Sequence, residues 1–147
     1  MHEFSLITLG CLAKAGWYTG RKIPTFQQRA FLDGEGYAWF PKVQTFLEEF
    51  DQLLVPFTRN SHTDIIRLDA CVAASRVWFP DYYAPRIGDT KLCVIGSVYS
   101  DHLLLFMDRF GRVYGGFDEY LCLVSNSGCE AIEAICLNQQ LQELPKL

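Results

Sequence analysis

The sequence predicts an α+β fold: N-terminal helices, a central mostly antiparallel sheet and a C-terminal helix, in a single domain over residues 1–147. Three observations predict it. Apolar residues recur at helical spacing through the first third of the chain. Short apolar runs then succeed one another with turn residues between them. A last helical pattern opens after Ser127. A chain of 147 residues is one domain's length and can bury roughly 70% of its unfolded surface without disulfide or metal staples.

The first helix follows from Phe4, Ile7, Thr8, Cys11, Leu12 and Ala15, which share a face with only Thr8 polar. Lys14 sits in its last turn, favourable to the negative helix end. Gly16 fits the left-handed stop just past the end, and Trp17 is then expected to fold back as a core anchor. Pro24-Thr25 announces the second helix, with Thr25 and Gln28 as a capping box. It is expected to carry Phe26, Ala30 and Phe31 inward and to stop near Gly34 or Gly36. Pro41 suits the first position of a third helix. Its stripe is Val43, Phe46, Leu47, Phe50 and Leu54, with Thr45, Glu48, Glu49 and Gln52 opposite.

After Pro56 the pattern changes. Ile65, Ile66 and Leu68 mark a strand in "DIIRLD", and Pro80 and Pro85 interrupt the segment beyond it. Strands are expected in "KLCVIGSV", "HLLLFMD" and "RVYGGF". Leu103 to Met107 are apolar on both faces, as in a central strand covered on two sides. Asp108-Arg109-Phe110-Gly111 reads as a hairpin connection, and "YLCLV" as a further strand. Ser127 and Glu130 form a second capping box, opening a helix through Ile132, Ile135, Cys136 and Leu141.

Composition narrows the function. Half the residues are hydrophobic and 20% are charged, which argues against disorder. A net charge of −4 argues against a generic phosphate binder and is mildly suited to a basic partner. Six cysteines contain no C-x-x-C pair, so reduced thiols in a cytoplasmic protein are expected, ahead of disulfides or a metal site. "SLITLGC" lacks the basic start and length of an export signal, and no apolar run approaches the ~18 residues of a membrane span. "GWYTGRKI" has the wrong spacing for a phosphate loop. No G-x-S-x-G elbow is present, and His2, His62 and His102 lie in end or loop positions. Glu48-Glu49 falls on a solvated helix face. No catalytic, cofactor-binding or metal-ligating residue is assigned, and no cofactor is expected.

One segment stands out as surface. "RVWFPDYYAPR" gathers Trp78, Phe79, Tyr82 and Tyr83, flanked by Arg76 and Arg86. Large stiff rings and Arg are enriched at protein interfaces. Core packing explains two or three of these rings equally well, and Pro80-Asp81 make Tyr82 and Tyr83 the pair expected to be exposed.

Four stretches taken together resemble a known family. They are "LAKAGWYTGRKI", "GYAWFPKVQTFLEEFDQL", "RIGDTKLCVIGSV" and "LLLFMDRFGRVYGGFDEYLCLVSNSGCEAIEAI", in that order. The chain resembles the SUKH superfamily of bacterial immunity proteins, in its third subfamily. It departs where Asp51-Gln52 replaces a glycine pair, where Val94 replaces a common proline, and where Phe110 extends a turn. The resemblance implies a non-enzymatic protein that binds and blocks a cognate toxin domain, often a nuclease or other nucleic-acid-modifying enzyme. It implies no direct contact with nucleic acid or membrane. In such a fold Trp17 reads as a structural plug, and Arg21 as a turn residue expected to pair with a carboxylate. Charge, ring and loop position then nominate Asp51, Asp69, Asp81, Tyr82, Tyr83, Arg86 and Glu119 as partner-facing. A regulatory or scaffold module with another partner, and a small enzyme, are the competing readings.

Overall fold

A computed structural model describes residues 2–77, 79–88 and 90–146. Helix α1, Leu6–Ala15, begins where the Ser5 hydroxyl accepts the Thr8 N–H at 3.2 Å. It ends at Gly16, whose φ of 95° lets the Gly16 and Trp17 N–H groups close onto Ala13 and Leu12. It buries the face its spacing predicts, with one exception. Ile7 is exposed, whereas Thr8 and Leu12 are buried. Thr8 turns inward because Glu133 waits there, accepting from the Thr8 and Ser5 hydroxyls and from the Ser5 N–H. Burial disfavours that carboxylate's charge, but these three bonds outweigh it and hold the Glu133 carboxyl below its ordinary range.

Helix α2, Phe26–Gly34, turns inward a different face from the one expected. Gln28 and Leu32 are buried, while Phe26, Ala30 and Phe31 face out. The Thr25 hydroxyl makes no cap bond, and the Gln28 side chain, instead of closing the box, reaches to Asp51 at 3.1 Å. Helix α3, Pro41–Phe50, buries Val43, Phe46, Leu47 and Phe50 as its spacing predicts. Leu54 is not on that stripe; it lies exposed on the first strand.

That strand, β1 (Leu53–Arg59), was hidden by Pro56. It pairs with β2 (His62–Leu68) through a two-residue turn in which Asn60 and Ser61 have φ of 51° and 67°. Pro56 is tolerated because β1 is the sheet's edge. A short helix, α4 (Ala70–Ala74), comes next, capped where Asp69 accepts the Val72 N–H. The described residues between Ser75 and Lys91 cross over the sheet, with a 3-10 turn at Ala84–Ile87. Then come β3 (Cys93–Val98), β4 (Leu103–Met107), β5 (Val113–Phe117) and β6 (Tyr120–Ser125). Helix α5, Gly128–Cys136, is capped by Ser127, but Glu130 bonds Ser125 instead of closing a reciprocal box. Leu141 lies beyond the helix, just before the short strand β7, Gln142–Glu143.

The seven strands form one sheet in sequence order, and every pairing is antiparallel. Helices α1, α3 and α5 pack on one face, against β1, β3 and β6. Leu53, Val55, Phe57, Ile66 and Leu68 point into this layer by strand alternation. Trp17 seals its end. The indole stacks on Phe50 at 6.4 Å, meets Phe4 edge-on at 5.8 Å and donates to Glu49 at 3.0 Å. Arg21 fastens the same corner differently from expectation. It donates to the backbone carbonyls of Glu49 and Asp51 at 2.6 and 2.8 Å, not to a carboxylate, because the end of α3 leaves those carbonyls without helical partners. All six cysteines are free thiols.

The opposite face of the sheet is covered only in part, by the crossover. Tyr83 lies over Gly116, its hydroxyl donating to the Asp118 carbonyl at 2.9 Å, and meets Phe106 edge-on at 5.6 Å. β4 is therefore covered on both sides at Phe106, as its apolar run predicts, while Leu104 stays half-buried where the crossover stops.

Candidate functional site: a groove on the open face of the sheet

Where the crossover stops short, a groove of about 510 Å³ remains. Antiparallel succession brings its walls together. The β3–β4 and β5–β6 turns lie at the same end of the sheet, because alternate turns of a meander do. The first supplies Asp101 and His102, the second Phe117 and Asp118. The crossover supplies Arg76, Phe79 and Tyr82. Leu104, Phe106 and Gly116 form the floor beside Tyr83.

One end of the groove is polar and tightly bonded. Asp101 accepts the Ser97 hydroxyl at 2.6 Å, Arg67 Nε at 3.2 Å and Arg76 Nη2 at 3.5 Å. The Ser97 hydroxyl and the two guanidiniums hold the Asp101 carboxyl below the usual aspartate range. Tyr99, Ser100 and Asp101 all have positive φ, so this turn is fixed by its bonds and not by glycine. The other end is aromatic. Phe79, Tyr82 and Phe117 are 64, 53 and 48% exposed. Tyr82 leans edge-on against Tyr83 at 4.9 Å, and Phe117 against His102 at 5.8 Å.

The seven nominated residues divide between two places. Tyr82 lines the groove, and Asp81 and Glu119 stand exposed near it, paired with Lys91 and Lys146 at 3.1 and 3.2 Å. Such exposed pairs contribute little to stability. Tyr83 is 7% exposed, so the expectation of an exposed pair holds for Tyr82 alone. The cause is Gly116, which leaves room for the Tyr83 ring against the sheet. Arg86 is a structural clamp. Its guanidinium donates to the carbonyls of Glu119, Leu144 and Pro145, pinning the C-terminal segment to the β5–β6 turn. Trp78 lies outside the described residues.

Asp51 and Asp69 belong to a different corner, around the start of α4. Asp69 is occupied as the helix cap. Asp51 is only 1% exposed and unavailable to a partner. It accepts the Ala70 N–H at 3.0 Å and Gln28 Nε2 at 3.1 Å, tying the end of α3 to α2 and α4. Burial pushes its carboxyl above the ordinary aspartate value, against the pull of those two bonds. A raised carboxyl contributes stability below the unfolded value near 3.8 and loses it as pH rises through the folded pKa. Asp51→Asn, which keeps an acceptor for Ala70, is therefore expected to gain stability relative to wild type as pH rises from 4 to 8. Urea midpoints across that range measure it; a difference independent of pH, or falling with it, contradicts the raised carboxyl.

Among the described residues, no group of three or more histidine, cysteine and carboxylate side chains is placed to hold a metal ion. No helix among them is long and apolar enough to cross a membrane. What the geometry offers is a rigid concave face with rings and charges presented outward.

Comparison with known proteins decides the family. The SUKH-3 immunity protein family matches residues 4–138, nearly the whole chain. The chain belongs to that family. No curated protein matches it, and no solved structure does. The SUKH-3 match includes α1 to α5, β1 to β6 and every groove residue, and stops short of β7. Arg67, Asp101, His102, Phe117 and Asp118 were not nominated from the sequence. Their signal was positional: two turns on one end of the predicted meander, each carrying a carboxylate beside a ring.

Proposed function

We propose that this SUKH-3 protein binds a cognate toxin domain of a polymorphic toxin system in the cytoplasm and neutralises it by direct blockade, without chemistry of its own. The toxin is a nuclease or another nucleic-acid-modifying enzyme in this reading. The family match over residues 4–138 carries it. The physical character of the open face supports it. Three exposed rings line it, Phe117 from β5 and Phe79 and Tyr82 from the crossover, and stiff rings bury area at small entropic cost. The chain's charge of −4 favours encounter with a basic enzyme.

Co-expression tests the reading. A bacterial strain expressing the toxin domain encoded beside this gene is expected to stop growing, and to grow normally when this chain is also expressed. Growth arrest that persists despite soluble, folded immunity protein counts against the proposal.

A further inference from the structure

The two ends of the groove differ in electrostatic character. At the Asp101 end, two guanidiniums converge on one carboxylate, so that the cluster carries a net positive charge. At the aromatic end, Asp118 lines the groove with an exposed side chain. Among the described residues, no cation pairs with its carboxylate. Its position is nevertheless fixed. The residue adopts φ 49° in the tight β5–β6 turn, and its carbonyl is held by the buried Tyr83 hydroxyl at 2.9 Å. The carboxylate thus sits on a rigid base among Tyr82 and Phe117, both braced edge-on by Tyr83 and His102.

A carboxylate fixed beside exposed ring faces has a definite chemical complement. It suits a long cationic side chain, whose methylene stem covers the rings and whose charged head meets both the carboxylate and the ring quadrupoles. Arginine fits best, because its planar head stacks on rings while donating to a carboxylate. An acidic or purely apolar side chain leaves Asp118 desolvated and unpaired, which is unfavourable.

We propose that the groove is the toxin-docking site and that its Asp118 end captures an arginine side chain from a loop of the toxin. This rests on the reading of the chain as a toxin inhibitor. Asp118 supplies the charge, Tyr82 and Phe117 the walls, and Tyr83 the support beneath them. The Arg76 guanidinium is already paired with Asp101 and is not the anchor.

Calorimetric titration with the catalytically inactivated toxin domain encoded beside this gene tests it. Asp118→Asn keeps a residue type that tolerates positive φ and removes only the charge. It is expected to weaken binding about tenfold, and Tyr82→Ala combined with Phe117→Ala about thirtyfold or more. Phe26→Ala, on the outer face of α2 and away from the groove, is expected to change affinity less than threefold. Unchanged urea midpoints establish that the variants are folded. If wild type binds while Asp118→Asn and the ring variant bind equally well, the docking site is elsewhere and only this inference is overturned. If Arg76→Gln weakens binding and Asp118→Asn does not, the groove takes an anionic group and the arginine assignment is wrong. If folded wild type does not bind the toxin, the functional reading fails and this inference fails with it.

Discussion

Replacing Phe50 with alanine is expected to lower the unfolding free energy by about 3–5 kcal/mol. Phe50 lies at the meeting point of α1, α3 and the segment after Gly16. It is fully buried, stacked on Trp17 at 6.4 Å, and touches Phe4 and Phe46 at 6.3 and 5.0 Å. Truncation removes the ring's own burial. It also leaves a void that the neighbouring rings are not free to fill. Trp17 is fixed by its bond to Glu49, and Phe46 by the helix it shares with Phe50. A domain of this size has a total stability of about 5–15 kcal/mol, so the loss is a large fraction of it. A melting temperature lowered by roughly 10 °C is the corresponding thermal result. A change below 1 kcal/mol in the urea-derived free energy contradicts this account of the helical layer.

Gly116→Ala is expected to cost about 2–3 kcal/mol and to impair toxin binding at the same time. A β-carbon at Gly116 lies 2.5 Å from Tyr83 Cε2 and 2.6 Å from its Cζ. The sheet backbone cannot retreat, since Gly116 pairs with Leu104 on one side and Leu121 on the other. The ring has to leave. It takes with it the bond to the Asp118 carbonyl, worth about 1 kcal/mol, and the edge-on contact with Phe106. It also removes the brace under Tyr82. A double-mutant cycle with Tyr83→Ala isolates the clash. Once the ring is gone, Gly116→Ala is expected to cost less than half as much, and strict additivity contradicts the contact.

Much of this architecture was legible in the residues. Gly16 and Pro41 mark helix boundaries by backbone geometry that few other residues satisfy, and both lie where their φ preferences put them. The apolar run from Leu103 to Met107 correctly announced a strand covered twice. The failures share a physical cause. Periodicity reports which residues could be buried, not what stands opposite them. Gln28 is inside because Asp51 faces it, a long-range pairing that the helix's own spacing does not contain. Phe26 is 70% exposed because its helix turns that polar face to the core. β1 was obscured by Pro56, whose missing N–H is tolerated on the sheet's edge strand.

The site was half legible for the same reason. Tyr82 was found because its local sequence concentrates rings. Tyr83, one residue on, was misjudged because its burial is decided by Gly116, 33 residues away in sequence. Asp51 was read as a loop carboxylate, whereas it ties together three helices. Arg86 was read as an interface cation, whereas three carbonyls take up its donors. Loop charges are ambiguous in sequence because the same residue serves a partner or the protein's own backbone.

The most direct measurement is a titration of the toxin domain's enzymatic activity with this protein. Occupation of the toxin surface predicts that activity falls linearly with added protein, reaches zero at a fixed molar ratio, and does not decline further with time. Complete inactivation by a small sub-stoichiometric amount, progressing with time, contradicts that account and points to turnover by this protein.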